Sequence, residues 1–160
     1  MQRKPEDHAR LMDIQYLEQY VHTSIPLTKA MGVEVREASS DKVIVFVPLA
    51  PNINHMNNIF GGSASTAAIL AAWCLVFTKM KLQGLSGHIV IHKNTMTYEK
   101  PISAGFTATA QDIDEHAWSK LVSALERNRM ARLSVHAVLE CGGQQVGHLE
   151  GAFVVLPANG

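Results

Sequence analysis

The feature that most constrains the fold is a long helical run without a polar side. The eighteen residues from Ser63 to Met80 contain neither glycine nor proline and are rich in alanine and leucine, which predicts an α-helix. From Ala67 to Phe77 every residue is apolar, so no stripe is left for water to solvate. We therefore expect this helix to be buried on nearly every side by the rest of the chain.

The segments around this helix alternate between extended and helical patterns. Leu11, Ile14, Leu17 and Val21 recur at helical spacing and predict an amphipathic helix from Asp7 to His22. A short helix is expected between Pro26 and a left-handed cap at Gly32. Strands are predicted at 33–36, at 41–47 with an end near Pro48, at 88–100, at 106–113 and on both sides of Gly142-Gly143, and a further helix at 115–128.

Six strands around one apolar helix favour an α+β fold with an antiparallel sheet wrapped about that helix. At 160 residues the chain has the size of one domain, and no linker divides it. We expect residues 1–160 to form that domain, with residues 1–25 contributing an N-terminal helix that packs on it.

Charge and cysteine content exclude several partner classes. Fourteen basic and fourteen acidic residues give a formal charge of zero without a basic run, so nucleic acid is not expected as a partner. The longest apolar run is too short to span a bilayer, and the charged N-terminus lacks the apolar core of a signal peptide. Two cysteines without a pairing pattern fit a reducing compartment, so we expect a soluble, cytoplasmic protein that does not bind membranes.

The sequence contains none of the common metal or nucleotide motifs. HExxH and Cys-His clusters are absent, as are a Walker loop, a GxGxxG turn and a GxSxG elbow. No metal and no cofactor are therefore expected.

The segment NHMNNIFGGSAS, residues 54–65, joins a polar stretch to the apolar helix through two glycines. A glycine pair at the start of a helix can serve close packing, or it can present bare backbone amides to an oxygen of a ligand. The residues alone leave both interpretations open.

Three segments together resemble a known family. They are PLAPNINHMNNIFGGSASTAAILAAW, the strand HIVIHKNTMTYEKP and the end pattern LEGAFVVLP. They are similar to hotdog-fold acyl-thioesterases, and within them to a thioesterase branch that is sometimes fused behind an acetyltransferase domain. The resemblance covers roughly residues 26–157 and implies a curled antiparallel sheet around one long helix, the hotdog fold.

The resemblance also implies roles for the turn. The amides of Gly62 and Ser63 would stabilise the oxyanion that forms when a thioester carbonyl is attacked. Asn54 would hold a water or the thioester oxygen, although an Asn in a loop can instead cap its own turn. His55 is the nearest titratable group and could act as a base, or it could be an exposed loop residue.

Two positions depart from the usual pattern of such enzymes. Phe60 stands where a His is usual, and Ile69 stands where an acid is usual, so the carboxylate that would activate water is missing from its place. Ser65 and Thr66 lie four and three residues before Ile69 on the same helix face and are our candidates for orienting the water, or they bond their own helix backbone.

Binding of the substrate is assigned to a wider set. The acyl chain would lie along the apolar helix near Ile69 and Trp73, and Gly61 and Phe60 are further candidates for substrate binding. Lys93 and Lys100 could contact the phosphates of a coenzyme, or they could be ordinary surface lysines. We expect a thioesterase that hydrolyses an acyl-coenzyme A or acyl-carrier-protein thioester; the alternatives are a non-catalytic acyl-thioester binding protein and a hotdog dehydratase or hydratase. The family further implies a homodimer or a dimer of dimers.

Overall fold

The computed structural model describes residues 10–158 and contains one six-stranded antiparallel sheet. The helices are α1 (Ile14–Ser24), α2 (Pro26–Ala30), α3 (Gly61–Leu82) and α4 (Glu115–Glu126), and the strands are β1 (Glu34–Ala38), β2 (Lys42–Val47), β3 (His88–Tyr98), β4 (Phe106–Gln111), β5 (Ala131–Cys141) and β6 (Gln144–Leu156). The strand order is β1-β2-β4-β5-β6-β3. The predicted α+β arrangement is confirmed.

Helix α3 lies against the sheet and forms the centre of the hydrophobic core. It is two residues longer at each end than the sequence predicted. Ala67, Ala68, Ala71, Ala72 and Leu75 are fully buried. Four of these five side chains are single methyl groups, so the strands can approach the helix closely on several sides. By length and composition α3 could cross a membrane, but most of it is buried in this core.

One narrow row of α3 remains half-exposed, contrary to the expectation that no such stripe exists. Thr66, Ile69, Trp73 and Phe77 follow each other at steps of three and four residues, and each is only partly buried. This row lies toward β3, the last strand of the sheet, because the indole Nε1 of Trp73 donates to the carbonyl of Ile89 at 3.2 Å.

Helix α1 begins later than predicted. Arg10 to Asp13 are not helical, and Leu11, which we expected on the buried stripe, forms a β-bridge with Ser39 and is 78% exposed. The reason is Asp13, whose carboxylate caps the helix by accepting from the backbone N–H of Gln15 at 2.9 Å. Residues 7–9 of the predicted helix lie outside the described residues. Leu17 and Val21 are buried as predicted.

The two edges of the sheet differ in how they are covered. At β1, the Glu18 carboxylate of α1 accepts from the Val35 backbone N–H at 2.8 Å. At the opposite edge, nine of the eleven residues of β3 are exposed, including Val90 and Ile91. A long uncovered strand edge with apolar side chains is a pairing site for another strand.

Glycines end elements where the sequence placed them. Gly142 and Gly143 have φ angles of 59° and 77° and form the predicted hairpin turn between β5 and β6. Gly32 has a φ of 73° after α2, and a Cβ there would lie 2.9 Å from the Cγ of Pro48. It therefore meets both a conformational and a steric requirement.

Substituting Gly32 with alanine should lower the free energy of unfolding by about 2 to 3 kcal/mol. Left-handed backbone alone costs a residue with a Cβ roughly 1 to 2 kcal/mol, and the collision with Pro48 adds to it. Gly84→Ala is the matched control, because Gly84 has a φ of 68° and open space around it. Urea denaturation measures both; equal losses would show that contact with Pro48 contributes nothing.

Candidate active site

The loop before α3 is built by its asparagines. The backbone N–H of Asn54 donates to the Asn58 carbonyl at 2.7 Å, and Ile53 pairs with Ile59, so the loop is a small closed turn. Asn57 lies at its tip with a φ of 59°, a conformation that Asn tolerates better than most residues. Asn57 therefore shapes this turn.

The side chain of Asn54 takes part in the same turn. Its Oδ1 accepts from the backbone N–H of Met56 at 2.8 Å and from that of Asn58 at 3.1 Å. Its Nδ2 donates to no acceptor within residues 10–158 and is free to donate to a ligand. Asn54 therefore makes the loop contact expected of a capping Asn and keeps a donor for a substrate or a water.

Asn52 anchors the loop and was not singled out by the sequence. It is buried, and its Nδ2 donates to the carbonyls of Met31 and Pro48, both at 2.8 Å. Its backbone carbonyl accepts from the Phe60 N–H at 2.7 Å, which fixes the residue where α3 begins. Its buried Oδ1 has no hydrogen-bond partner among the described residues. The loop is thus held at both ends before it delivers the two glycines.

The first turn of α3 offers free backbone donors. Phe60 is the N-cap, with no side-chain hydrogen bond to the helix, and the Ala64 N–H is the one that reaches its carbonyl, at 3.1 Å. The N–H groups of Gly62 and Ser63 precede that bond and have no acceptor inside the helix. A helix N-terminus with free amides favours a developing negative charge.

Two aromatic rings pack against the glycines of this turn. The Phe60 ring packs over Gly62, where any Cβ would collide with it, and Phe60 is 57% exposed. Tyr98 of β3 donates from its Oη to the Gly61 carbonyl at 3.2 Å. Tyr98 and Gly61, together with Ile59, Ala64, Glu99, Lys100, Pro101 and Ile102, line a cavity of about 230 Å³. The sequence did not predict a role for Tyr98, because no local pattern relates it to a glycine 37 positions away.

Two hydroxyls follow the free amides along the helix. Ser65 and Thr66 are half-buried, and neither hydroxyl hydrogen-bonds to any group of the described chain, including the helix carbonyls one turn back. The alternative role, in which these hydroxyls donate to carbonyls of their own helix, is therefore not found in the described residues. Ile69 lies one turn further on, and α3 carries no Asp or Glu. The hydroxyls are the polar groups that this helix face offers to a water.

The remaining predicted residues lie further out. His55 is exposed on the loop beside Asn54. Lys100 lines the cavity at Gly61 and donates from its Nζ to Gln144 at 3.3 Å. Lys93 pairs with Ala152, on the face of the sheet opposite to α3. Within a single chain, Lys93 therefore does not lie near the amides of α3. A role for Lys93 stays a prediction.

The Glu99 carboxylate accepts hydrogen bonds from two side chains of β6. Its Oε1 accepts from His148 Nδ1 at 2.6 Å and from Gln145 Nε2 at 2.8 Å. These hydrogen bonds, with that of His148 the larger effect, lower the pKa of the Glu99 carboxyl. Glu99 therefore stays ionised and is a weak base, which does not suit it to replace the missing acid of α3.

The fold is shared with thioesterases of known structure. A putative thioesterase from Shewanella oneidensis superposes with a TM-score of 0.82 at 27% identity, over 90% of this chain and 97% of that one. A protein of unknown function from Chlorobaculum tepidum has the same TM-score at 26% identity, over 89% and 93%. A thioesterase from Haemophilus influenzae, at 13% identity and a TM-score of 0.69 over 92% and 93% of the two chains, shares the fold.

These neighbours confirm the hotdog fold that the sequence resemblance implied. A family model matches residues 14–157, which includes the loop, the glycine turn and all six strands. The chain belongs to the family described as putative thioesterase (yiiD_Cterm).

Proposed function

We propose that this protein hydrolyses the thioester of an acyl-coenzyme A or an acyl-carrier protein. The observation that carries the proposal is the uncapped N-terminus of α3, where the amides of Gly62 and Ser63 are free beside two flanking aromatic rings. A thioester carbonyl gains negative charge when it is attacked, and such amides stabilise that charge.

The proposed reaction uses these amides together with polar side chains of the preceding loop and of α3. Water attacks the carbonyl carbon while the oxygen is held by Gly62 and Ser63; the hydroxyls of Ser65 and Thr66 and the Nδ2 of Asn54 orient the water. The proton of the water passes to His55, and the C–S bond then breaks with release of the thiol, which takes up that proton. One water is consumed, and an acid and a thiol leave, so the reaction balances without a cofactor.

A non-catalytic acyl-thioester binding protein is the second candidate. It is favoured by one observation: α3 carries no carboxylate, and Phe60 and Ile69 occupy the usual places of the acid-base residues. Loss of the base with retention of the oxyanion donors would leave binding without hydrolysis.

Free thiol released from a panel of acyl-coenzyme A and acyl-carrier-protein thioesters separates the two functions. We expect turnover on at least one substrate, and a loss of about tenfold to a hundredfold in kcat for Ser65→Ala combined with Thr66→Val, because the water loses its orienting partners. Thr107→Val is the control, since it removes a hydroxyl from the face of strand β4 opposite to the buried side chains of Phe106 and Ala108. Tight binding of the thioesters with no thiol release would establish the binding protein instead.

The role of Asn54 is tested by a substitution that spares the loop. Asn54→Asp keeps an oxygen that accepts from the Met56 and Asn58 amides but removes the Nδ2 donor. We expect an unchanged melting temperature and a fall in kcat of about tenfold or more, the effect of losing one donor in the transition state. Asn57→Gly is the control, because glycine also adopts the left-handed conformation. Full activity of Asn54→Asp would restrict Asn54 to shaping the loop.

We further propose that the protein is a homodimer joined through β3, with a dimer of dimers as the larger alternative. The support is the exposed edge of β3, which pairing with a second copy would cover.

We place the protein in the cytoplasm, because Cys74 and Cys141 are free thiols. Burial raises the pKa of the Cys74 thiol, so it stays protonated and is not a nucleophile.

Light scattering tests the dimer. The wild-type protein should have twice the mass of one chain, and the double variant Val90→Glu/Ile91→Glu should be a monomer, because like charges would face each other across the joined strands. Leu27→Glu is the control, since Leu27 is 56% exposed on α2. A monomeric wild type, or a dimer that survives the double substitution, would contradict pairing through β3.

A further inference from the structure

Two aromatic side chains bridge α3 and β3 at separate points. Tyr98 reaches from the strand to the Gly61 carbonyl at the start of the helix, at 3.2 Å. Trp73 reaches from the helix to the Ile89 carbonyl at the start of the strand, also at 3.2 Å. The helix and the strand are therefore joined at two ends of a shared segment.

Between these bridges the helix and the strand do not close on each other. Asn94 pairs with Gly151, whose position on β6 faces the core side of the sheet, yet Asn94 is exposed. On the helix side, Thr66 and Ile69 are only half-buried. Between the bridges the helix thus keeps an accessible row of side chains, which runs from the α3 amides along Thr66 and Ile69 to Trp73 and becomes increasingly apolar; we call this row the groove.

Stacked aromatic rings hold the Trp73 indole in place. The indole stacks on Phe77 with ring centroids 5.1 Å apart and planes 11° apart, and Phe77 stacks on Tyr20 of α1 at 4.7 Å. Stacked rings of this kind add to the free energy of burial. With its N–H also hydrogen-bonded to β3, the indole has little freedom to move aside.

We propose that the Trp73 indole is the stop that limits the length of the acyl chain. This inference rests on the proposed function, because it takes the carbonyl to lie at Gly62 and Ser63. The eleven helical steps from Gly62 to Trp73 span about 16 Å. The hydrogen bond to the carbonyl oxygen takes up part of this length at one end, and the van der Waals contact with the indole takes up part at the other. About 10 Å then remains for the acyl chain, which an extended chain of about eight carbons fills.

The length dependence should appear both in hydrolysis and in binding. We expect kcat/KM for saturated acyl-coenzyme A substrates, and the affinity for non-hydrolysable S-alkyl-coenzyme A thioethers, to rise by about fourfold per carbon up to about eight carbons. Beyond that length both should fall, because the chain meets the indole. An affinity that keeps rising to sixteen carbons would overturn the stop.

Two substitutions should shift the preferred acyl-chain length in opposite directions. Trp73→Ala opens the groove and should shift the optimum to longer chains by about four carbons, whereas Ile69→Phe fills it midway and should shift the optimum to shorter ones. Opposite shifts cannot arise from a general loss of stability, and Ile69→Phe alone decides the matter if Trp73→Ala does not fold. Tyr16→Ala is the control, because Tyr16 lies at the outer end of the ring stack, 6.3 Å from Tyr20.

The two readouts keep this inference separate from the proposed hydrolysis. If the affinity for thioethers falls beyond a certain chain length but no substrate releases thiol, the result would support the stop and refute the hydrolase. Thiol release with the same profile in wild type, Trp73→Ala and Ile69→Phe would support the hydrolase and refute the stop.

Discussion

The structure depends on the need to enclose a helix that has no polar side. A helix of this composition cannot lie on a surface, and one flat sheet would cover only one of its sides. The antiparallel sheet meets this need by packing around it, and the alanines of α3 let the strands come close. Charged groups are kept to the far end, where buried Lys79 lies 5.2 Å above the Trp118 ring and 3.8 Å from Glu115.

The candidate site is a consequence of that enclosure. A helix buried along its length exposes its polar backbone groups only at its ends, and the N-terminal end emerges beside the free edge of β3. The same edge leaves one row of the helix half-exposed, so the free amides continue into an apolar groove. An anion-stabilising end joined to an apolar groove suits a ligand with a polar carbonyl and a hydrocarbon tail.

Local chemistry made part of this predictable from the sequence. The central helix, the Gly142-Gly143 hairpin and the cap at Gly32 each depend on residues within a few positions. Contacts between distant segments could not be predicted from the sequence. Tyr98 and Gly61, and likewise His148 and Glu99, form hydrogen bonds although they are 37 and 49 positions apart. The start of α1 was misplaced because the apolar spacing of Leu11 matched a helix, whereas capping by Asp13 decided where the helix begins.

The central claim is that the N-terminus of α3 holds the thioester oxygen. A crystal structure with a non-hydrolysable acyl-coenzyme A ketone analogue, in which a methylene replaces the sulfur, tests it most directly. The account predicts that the carbonyl oxygen lies within hydrogen-bond distance, about 3 Å, of the Gly62 and Ser63 nitrogens. It also predicts that the alkyl chain runs past Ile69 toward Trp73. A carbonyl bound elsewhere, with these two amides left to solvent, would contradict it.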